Sequence, residues 1–230
     1  MNTTLGSLRT FLGSLRTLLS LIKFELRSEW RQQNVLAGIF LYAATAVFVA
    51  YMTFRILPGP TWVAVYWLIM LFSSTHAIGR SFGSSSGVRL LFEQSLAAPG
   101  VYLASKIMYN IFLLVLIHLL TCLCMLVWGG NPFQDLVRFS WVAVVGHIGL
   151  SGALTLIAAI SRKASGQATL MVVLSFPVVM PLMLLLIRLS MHALDGLNPE
   201  AGQTYMLQLL ALDLLILSTA FLLFPYLWRD

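Results

Sequence analysis

Charge is what this chain has least of. Of its 230 residues only 10% are Asp, Glu, Lys or Arg, against 59% hydrophobic ones. A soluble domain carries about 25% charged residues, and so few charges cannot cover a water-facing surface. Lipid is therefore the solvent expected for most of the chain. Acidic residues are scarcer than basic ones, 8 against 14, which leaves a net charge of +6. That excess does not indicate nucleic acid, because the basic residues sit between apolar runs rather than in a patch with aromatics. Cysteine is nearly missing as well. Cys122 and Cys124 lie two apart in one apolar run; on a helix they point to nearly opposite faces, which argues against a mutual disulfide or a shared metal. No Gly-x-x-x-x-Gly-Lys-Ser/Thr loop occurs, so hydrolysis of ATP by that route is excluded for this polypeptide. No His-Glu-x-x-His metal helix occurs either. A secretory signal peptide fits poorly, since the first clear apolar run is too long and lacks a small-residue cleavage site.

Long apolar runs are what the chain has instead. A bilayer core about 30 Å thick needs about 20 apolar residues in helical form. Six stretches qualify: 35–57, 61–79, 101–128, 139–160, 167–190 and 204–227. Pro58-Gly59-Pro60 forces a tight turn between the first two, and Gly129-Gly130-Asn131-Pro132 another between the third and fourth. The expected fold is an all-α integral membrane protein with six transmembrane helices, preceded by an amphipathic interfacial helix. Of the 14 Lys and Arg residues, only Arg55, Arg138 and Arg188 would face the side opposite the N-terminus. The positive-inside rule then puts both termini in the cytoplasm.

Residues 1–34 read as a segment apart from the six-helix domain of 35–230. Leu8, Leu12, Leu15, Leu19, Ile22 and Leu26 recur at spacings of three and four, one stripe of a helix. Arg9, Arg16, Lys23 and Arg27 lie off that stripe. The pattern suits a helix lying in the cytoplasmic interface with Trp30 at headgroup depth. A short repeat, Gly6-Ser7-Leu8-Arg9-Thr10 and Gly13-Ser14-Leu15-Arg16-Thr17, brings two glycines that weaken its first turns, and a partly disordered basic leader is the competing reading.

Chemistry-bearing residues are few. Asp213 falls near the middle of the sixth span, where an ionisable group is costly and usually faces a partner or a wet cavity. It reads either as a pathway or coupling residue or as an aspartate held by a neighbouring helix. His118 and His147 lie in the third and fourth spans. Each could ligate haem iron or another metal, bond Asp213, or be an ordinary buried histidine with a hydrogen bond. Pro177 and Pro181 in the fifth span each remove a backbone donor and should kink that helix or split it. Such a break must be covered by protein or line a wet cavity, so the pair reads as a packing kink or as a gate. Gly149-Leu150-Ser151-Gly152 resembles the nucleophile segment of rhomboid-type intramembrane proteases. That chemistry needs a histidine base, which the family supplies from its sixth span, and residues 204–227 contain none. Close helix packing through Gly146, Gly149 and Gly152 is the alternative.

The cytoplasmic stretch 80–100 carries the most information. Arg80-Ser81-Phe82-Gly83-Ser84-Ser85-Ser86-Gly87 is flexible and polar. Val88-Arg89-Leu90-Leu91-Phe92-Glu93-Gln94-Ser95-Leu96 then reads as a short amphipathic helix that stops near Pro99-Gly100. Such a helix can seat in a groove on a motor subunit, with Arg80, Phe82, Arg89, Phe92, Glu93 and Gln94 as the coupling candidates, or it can rest on the membrane without a partner.

Several groups of residues together resemble the CcmB family, the permease-like subunit of the haem exporter of cytochrome c maturation. Phe24-Glu25-Leu26-Arg27 with Glu29-Trp30-Arg31 is similar to the family's opening. Arg80-Ser81-Phe82, Glu93-Gln94-Ser95-Leu96, Pro99, Lys106 and Tyr109-Asn110 are similar to its cytoplasmic segment and third span. His147-Ile148-Gly149-Leu150-Ser151-Gly152-Ala153-Leu154-Thr155 resembles its small-residue fourth span, and Pro177, Pro181 and Leu182 resemble its proline pair. The match runs from about residue 20 to 227. The extension before residue 20 and the serine–glycine stretch after Phe82 depart from the family's pattern. The resemblance implies a non-enzymatic subunit of the bacterial inner membrane, a homodimer bound to two copies of a CcmA-type ABC ATPase, with a CcmC-type haem-handling membrane protein as a further partner. It implies haem as cargo rather than as a firmly bound cofactor, and no nucleic acid. The alternatives are a type-2 ABC permease for a lipid, polysaccharide or drug, the intramembrane protease, and an assembly scaffold.

Overall fold

In a computed structural model of the chain, the residues described are 16–27, 33–54, 57–83, 98–162, 167–196 and 199–229. All the secondary structure among them is helical. Residues 16–27 form α1. Six longer helices follow: α2 (Gln33–Phe54), α3 (Gly59–Gly83), α4 (Pro99–Gly129), α5 (Leu136–Ser161), α6 (Gln167–Asp195) and α7 (Pro199–Arg229). Each of the six is long and apolar enough to cross a membrane. The chain is thus an all-α, multi-pass membrane protein. Six crossings return its two ends to one side, called inner below because it carries most of the Lys and Arg.

The helices run beyond the apolar stretches that mark them in the sequence, because an interfacial turn tolerates polar residues. Pro99 and Gly100 open α4, with Ala98 as N-cap and proline in the first turn; the short helix expected to stop near them lies outside the described residues. Proline suits that place because its missing N–H would have no helical partner there. Asp135 caps α5, its Oδ1 accepting from the Arg138 N–H at 2.8 Å. Gly130 and Gly196 adopt φ of 73° and 65° just after α4 and α6, a left-handed turn that a glycine enters without steric penalty. Gly196 N–H then donates to the His192 carbonyl.

Helix α5 is the axis of the bundle and packs against α3, α4, α6 and α7. Of its apolar window 67% is buried, against 17% for α2 at the edge. Its small residues make this position available. A Cβ placed on Gly146 would run into Leu186 of α6, and one on Gly152 into Leu217 of α7. Without a side chain the backbones approach closely, the usual source of contact between helices in lipid.

Helix α6 carries both Pro177 and Pro181 yet stays continuous from Gln167 to Asp195, so of the two expected outcomes, a kink or a split, the split does not occur. Both prolines lie on an exposed face, with Val172, Val173, Phe176 and Met180 around them. They do not line an internal cavity of this chain. In helix α1 the stripe residues Ile22 and Leu26 are half-buried. Leu19 is 56% exposed, whereas Leu21 and Glu25 are buried.

Candidate functional site

A seam of polar side chains runs along the facing surfaces of α4 and α5. At its inner end Lys106 of α4 binds Glu25 of α1, Nζ to Oε1 at 2.7 Å. The Lys106 ammonium also lies 5.7 Å from the centre of the Tyr102 ring. Tyr102 in turn stacks on Phe224 and contacts Trp228, both of α7. One turn deeper, Asn110 Nδ2 donates to Thr155 Oγ1 at 2.8 Å. Ser151 Oγ donates to the Ile107 carbonyl at 3.0 Å. From Lys106 to His118, twelve residues along α4, the seam rises about 18 Å at the helical 1.5 Å per residue.

The outer half of the seam is closed by aromatic rings. Tyr66 of α3 shares a 2.5 Å hydrogen bond with His118 Nδ1, and Trp67 donates to Ser190 Oγ at 2.9 Å. Trp62, Tyr66, Phe133 and Phe139 pack ring against ring with centroids 4.3 to 5.6 Å apart. Phe133 comes from the connection after α4 and folds back into the core, its N–H accepted by the Asn131 side chain. Each good aromatic contact is worth about 0.5–1.5 kcal/mol beyond area, so this plug is a rigid part of the molecule.

The histidines meet each other but not the aspartate. His118 and His147 have ring centroids 5.5 Å apart at 77°, an edge-to-face contact that leaves no space for a porphyrin between them. Neither His147 nitrogen has a hydrogen-bond partner among the described residues. Asp213 lies on another side of α5, and its carboxylate fills the position where a Cβ of Gly149 would stand. Both its oxygens are buried and likewise lack a partner. The suggested His–Asp bond is therefore absent: His147 faces His118 and Trp67, while Asp213 faces Gly149 and Leu182 is its neighbour there. Burying a carboxylate without partners is expensive, and nothing within the described part of this chain offsets it.

Ser151, the serine of the protease-like motif, spends its hydroxyl proton on a backbone carbonyl and bonds no histidine. No group of three or more His, Cys, Asp or Glu side chains comes together among the described residues, and Cys122 and Cys124 are both free thiols. Of the coupling candidates, Arg80 and Phe82 fall in the last turns of α3. Arg89, Phe92, Glu93 and Gln94 lie outside the described residues, as do Leu8, Leu12, Leu15 and Trp30. Sequence reasoning passed over Tyr66, Trp67 and Ser190, and it treated Glu25 and Lys106 separately. Asn110 and Lys106 were detectable signals, since a strongly polar residue well inside a span implies a partner.

No family model matches the chain, and no curated protein matches it either.

Proposed function

We propose that this chain is the membrane-spanning subunit of an ABC transporter of the CcmB type, working on haem in the maturation of c-type cytochromes. The observation that carries this reading is the inner-end junction. Glu25–Lys106 and the Tyr102–Phe224–Trp228 cluster tie α1, α4 and α7 into one unit. The connection that leads from Arg80 into α4 is attached to that unit directly. A push on segment 80–100 by a cytoplasmic motor would thus move three helices together. The chain supplies no phosphate-binding loop of its own, so the hydrolysis belongs to a separate, CcmA-type ATPase. A CcmC-type protein is the proposed haem-handling partner.

The filled outer half favours a surface route over a channel. Trp62, Tyr66, Trp67 and Phe139 are all 0% exposed, which leaves cargo to be handled between copies or along the outside of one. The exposed proline face of α6 suits a contact between two copies. Each proline leaves a helix carbonyl without its donor, and in lipid such groups must be re-satisfied by neighbouring protein or water.

Purification of the tagged protein in mild detergent tests the transporter reading. A nucleotide-binding subunit should co-elute and hydrolyse ATP; a stable monomer, active without nucleotide, overturns it. Deletion of the gene tests the cargo. Loss of covalently attached haem from c-type cytochromes is expected. Normal cytochromes alongside a co-eluting ATPase would leave a type-2 permease for another cargo.

A further inference from the structure

A cleft of about 390 Å³ opens between α2 and α3 in their inner halves. Gly38 and Tyr42 of α2 line one side, and Phe72, Ser73, His76 and Arg80 of α3 line the other. The three polar groups of α3 follow one another along a single face at spacings of three and four. From Arg80 at the inner end to Ser73 the face descends about 10 Å toward the hydrocarbon.

All four polar side chains are without a protein partner among the described residues. Among the described residues Arg80 has no carboxylate beside it, and neither the Tyr42 hydroxyl nor the His76 ring is hydrogen-bonded to one of them. Ser73 is the telling one. It is 1% exposed, and its hydroxyl oxygen is buried and unpartnered. Its neighbours Ser74 and Thr75 both donate to the Leu71 carbonyl, the ordinary way for a hydroxyl to be satisfied inside a helix. Ser73 instead lines the cleft. A buried polar group normally has a partner, and none of the described residues supplies one here.

We propose that this cleft binds one anionic glycerophospholipid of the inner leaflet. The ligand has to present acceptors in a fixed order of depth. A phosphate suits Arg80 at the interface, because a guanidinium forms paired, charge-assisted hydrogen bonds to phosphate oxygens. The ester carbonyls, one layer deeper, suit the donors His76 and Ser73. An acyl chain then follows Phe72 and the Tyr42 ring. A lipid of net negative charge neutralises Arg80, whereas a zwitterionic one brings a second cation to the same place. Gly38 keeps the cleft open, since nothing lies within 4 Å of where its Cβ would stand. The inference needs only that the chain sits in a bilayer and does not rest on the transporter reading.

Lipid retained through detergent purification tests it, quantified by mass spectrometry of an organic extract. The wild-type protein should keep one phosphatidylglycerol per chain. Arg80→Gln, which removes the charge, and Gly38→Leu, which fills the cleft, should each lower retention about tenfold, as expected for loss of a charge-assisted hydrogen bond. Added phosphatidylethanolamine or inorganic phosphate should not displace the lipid. If Arg80→Gln does not yield monodisperse protein, Gly38→Leu decides alone. Wild-type retention in the folded variants overturns the proposal. So does displacement by inorganic phosphate, which would mark a free-phosphate site. High-yield disulfide formation between copies carrying Gly38→Cys also overturns it, since a second copy would then cover the cleft.

Discussion

Glu25 and Lys106 form an ion pair at 2.7 Å with only 6% and 3% of their side chains exposed, and this pair fastens α1 to the third membrane span. Removing one partner of such a pair leaves an uncompensated buried charge and costs about 3–5 kcal/mol. Glu25→Ala and Lys106→Ala should each lower stability by that order. Replacing both with apolar residues of similar volume should cost less than either single change. Thermal unfolding of the four proteins in detergent closes the cycle. Strictly additive losses would mean that the two side chains do not act as a pair.

Gly149 and Asp213 are bound by shape in the same sense that Glu25 and Lys106 are bound by charge. Gly149→Ala drives a methyl group into the Asp213 carboxylate, and overpacking of this kind costs about 1–3 kcal/mol. Asp213→Ala makes the room. The double variant should therefore be more stable than Gly149→Ala alone, as read by the same unfolding assay. An equal or lower unfolding temperature would contradict the contact.

Asp213→Asn should impair function more than Asp135→Asn. Asp135 serves as an N-cap, accepting from the Arg138 N–H, and asparagine caps about as well as aspartate. Asp213 has no such local duty, and asparagine matches its shape. A loss of complementation by Asp213→Asn, at normal protein level, would therefore report a use for the carboxylate itself. Equal tolerance of the two changes would reduce Asp213 to a packing residue.

How far these features could be read in advance depends on their range in sequence. The six spans were legible because about 20 consecutive apolar residues are a local property, and so was the packing role of Gly146 and Gly152, each three residues from Gly149. Their partners were not. Nothing local pairs Glu25 with Lys106, or Asp213 with Gly149; each pairing is set by how separate helices come to lie. Which leucines of α1 meet protein was not legible, because leucine on a basic helix looks the same whether it meets lipid or protein: Leu21 is buried and Leu19 exposed. The proline pair left two outcomes open, a kink or a split, because local sequence shows the two lost backbone donors but not whether the flanking turns keep the helix continuous, as they do in α6. Phe133 was invisible as a core residue because it belongs to a turn.

The two histidines should respond in opposite directions to loss of their polar atoms. Tyr66→Phe strips His118 of its hydrogen bond, and a buried group left unsatisfied costs about 1–3 kcal/mol. His147 has no hydrogen bond to lose among the described residues, so His147→Leu should leave stability unchanged or raised, because an apolar residue suits a dry site better. Unfolding temperatures of the two variants check this. Should His147→Leu be both stable and inactive, the imidazole is retained for function, not for folding.

The bare proline face of α6 gives the last expectation. With Cys122 and Cys124 replaced by alanine, Met180→Cys should form a disulfide with its own copy in membranes, since Met180 lies beside Pro177 and Pro181 and is 43% exposed. A cysteine at Leu119, 58% exposed on α4, should not, because α4 has no proline beyond its first turn and its helix carbonyls keep their donors there. Placing alanine at Pro177 and Pro181 gives α6 two further backbone donors. The helix then gains stability, proline being about 3 kcal/mol worse than alanine inside a helix, while the need for a covering neighbour disappears. Weaker Met180→Cys cross-linking in that background would tie the dimer contact to the orphaned carbonyls. Undiminished cross-linking would assign it to the apolar side chains, and absence of any cross-link at Met180→Cys would remove α6 from the contact.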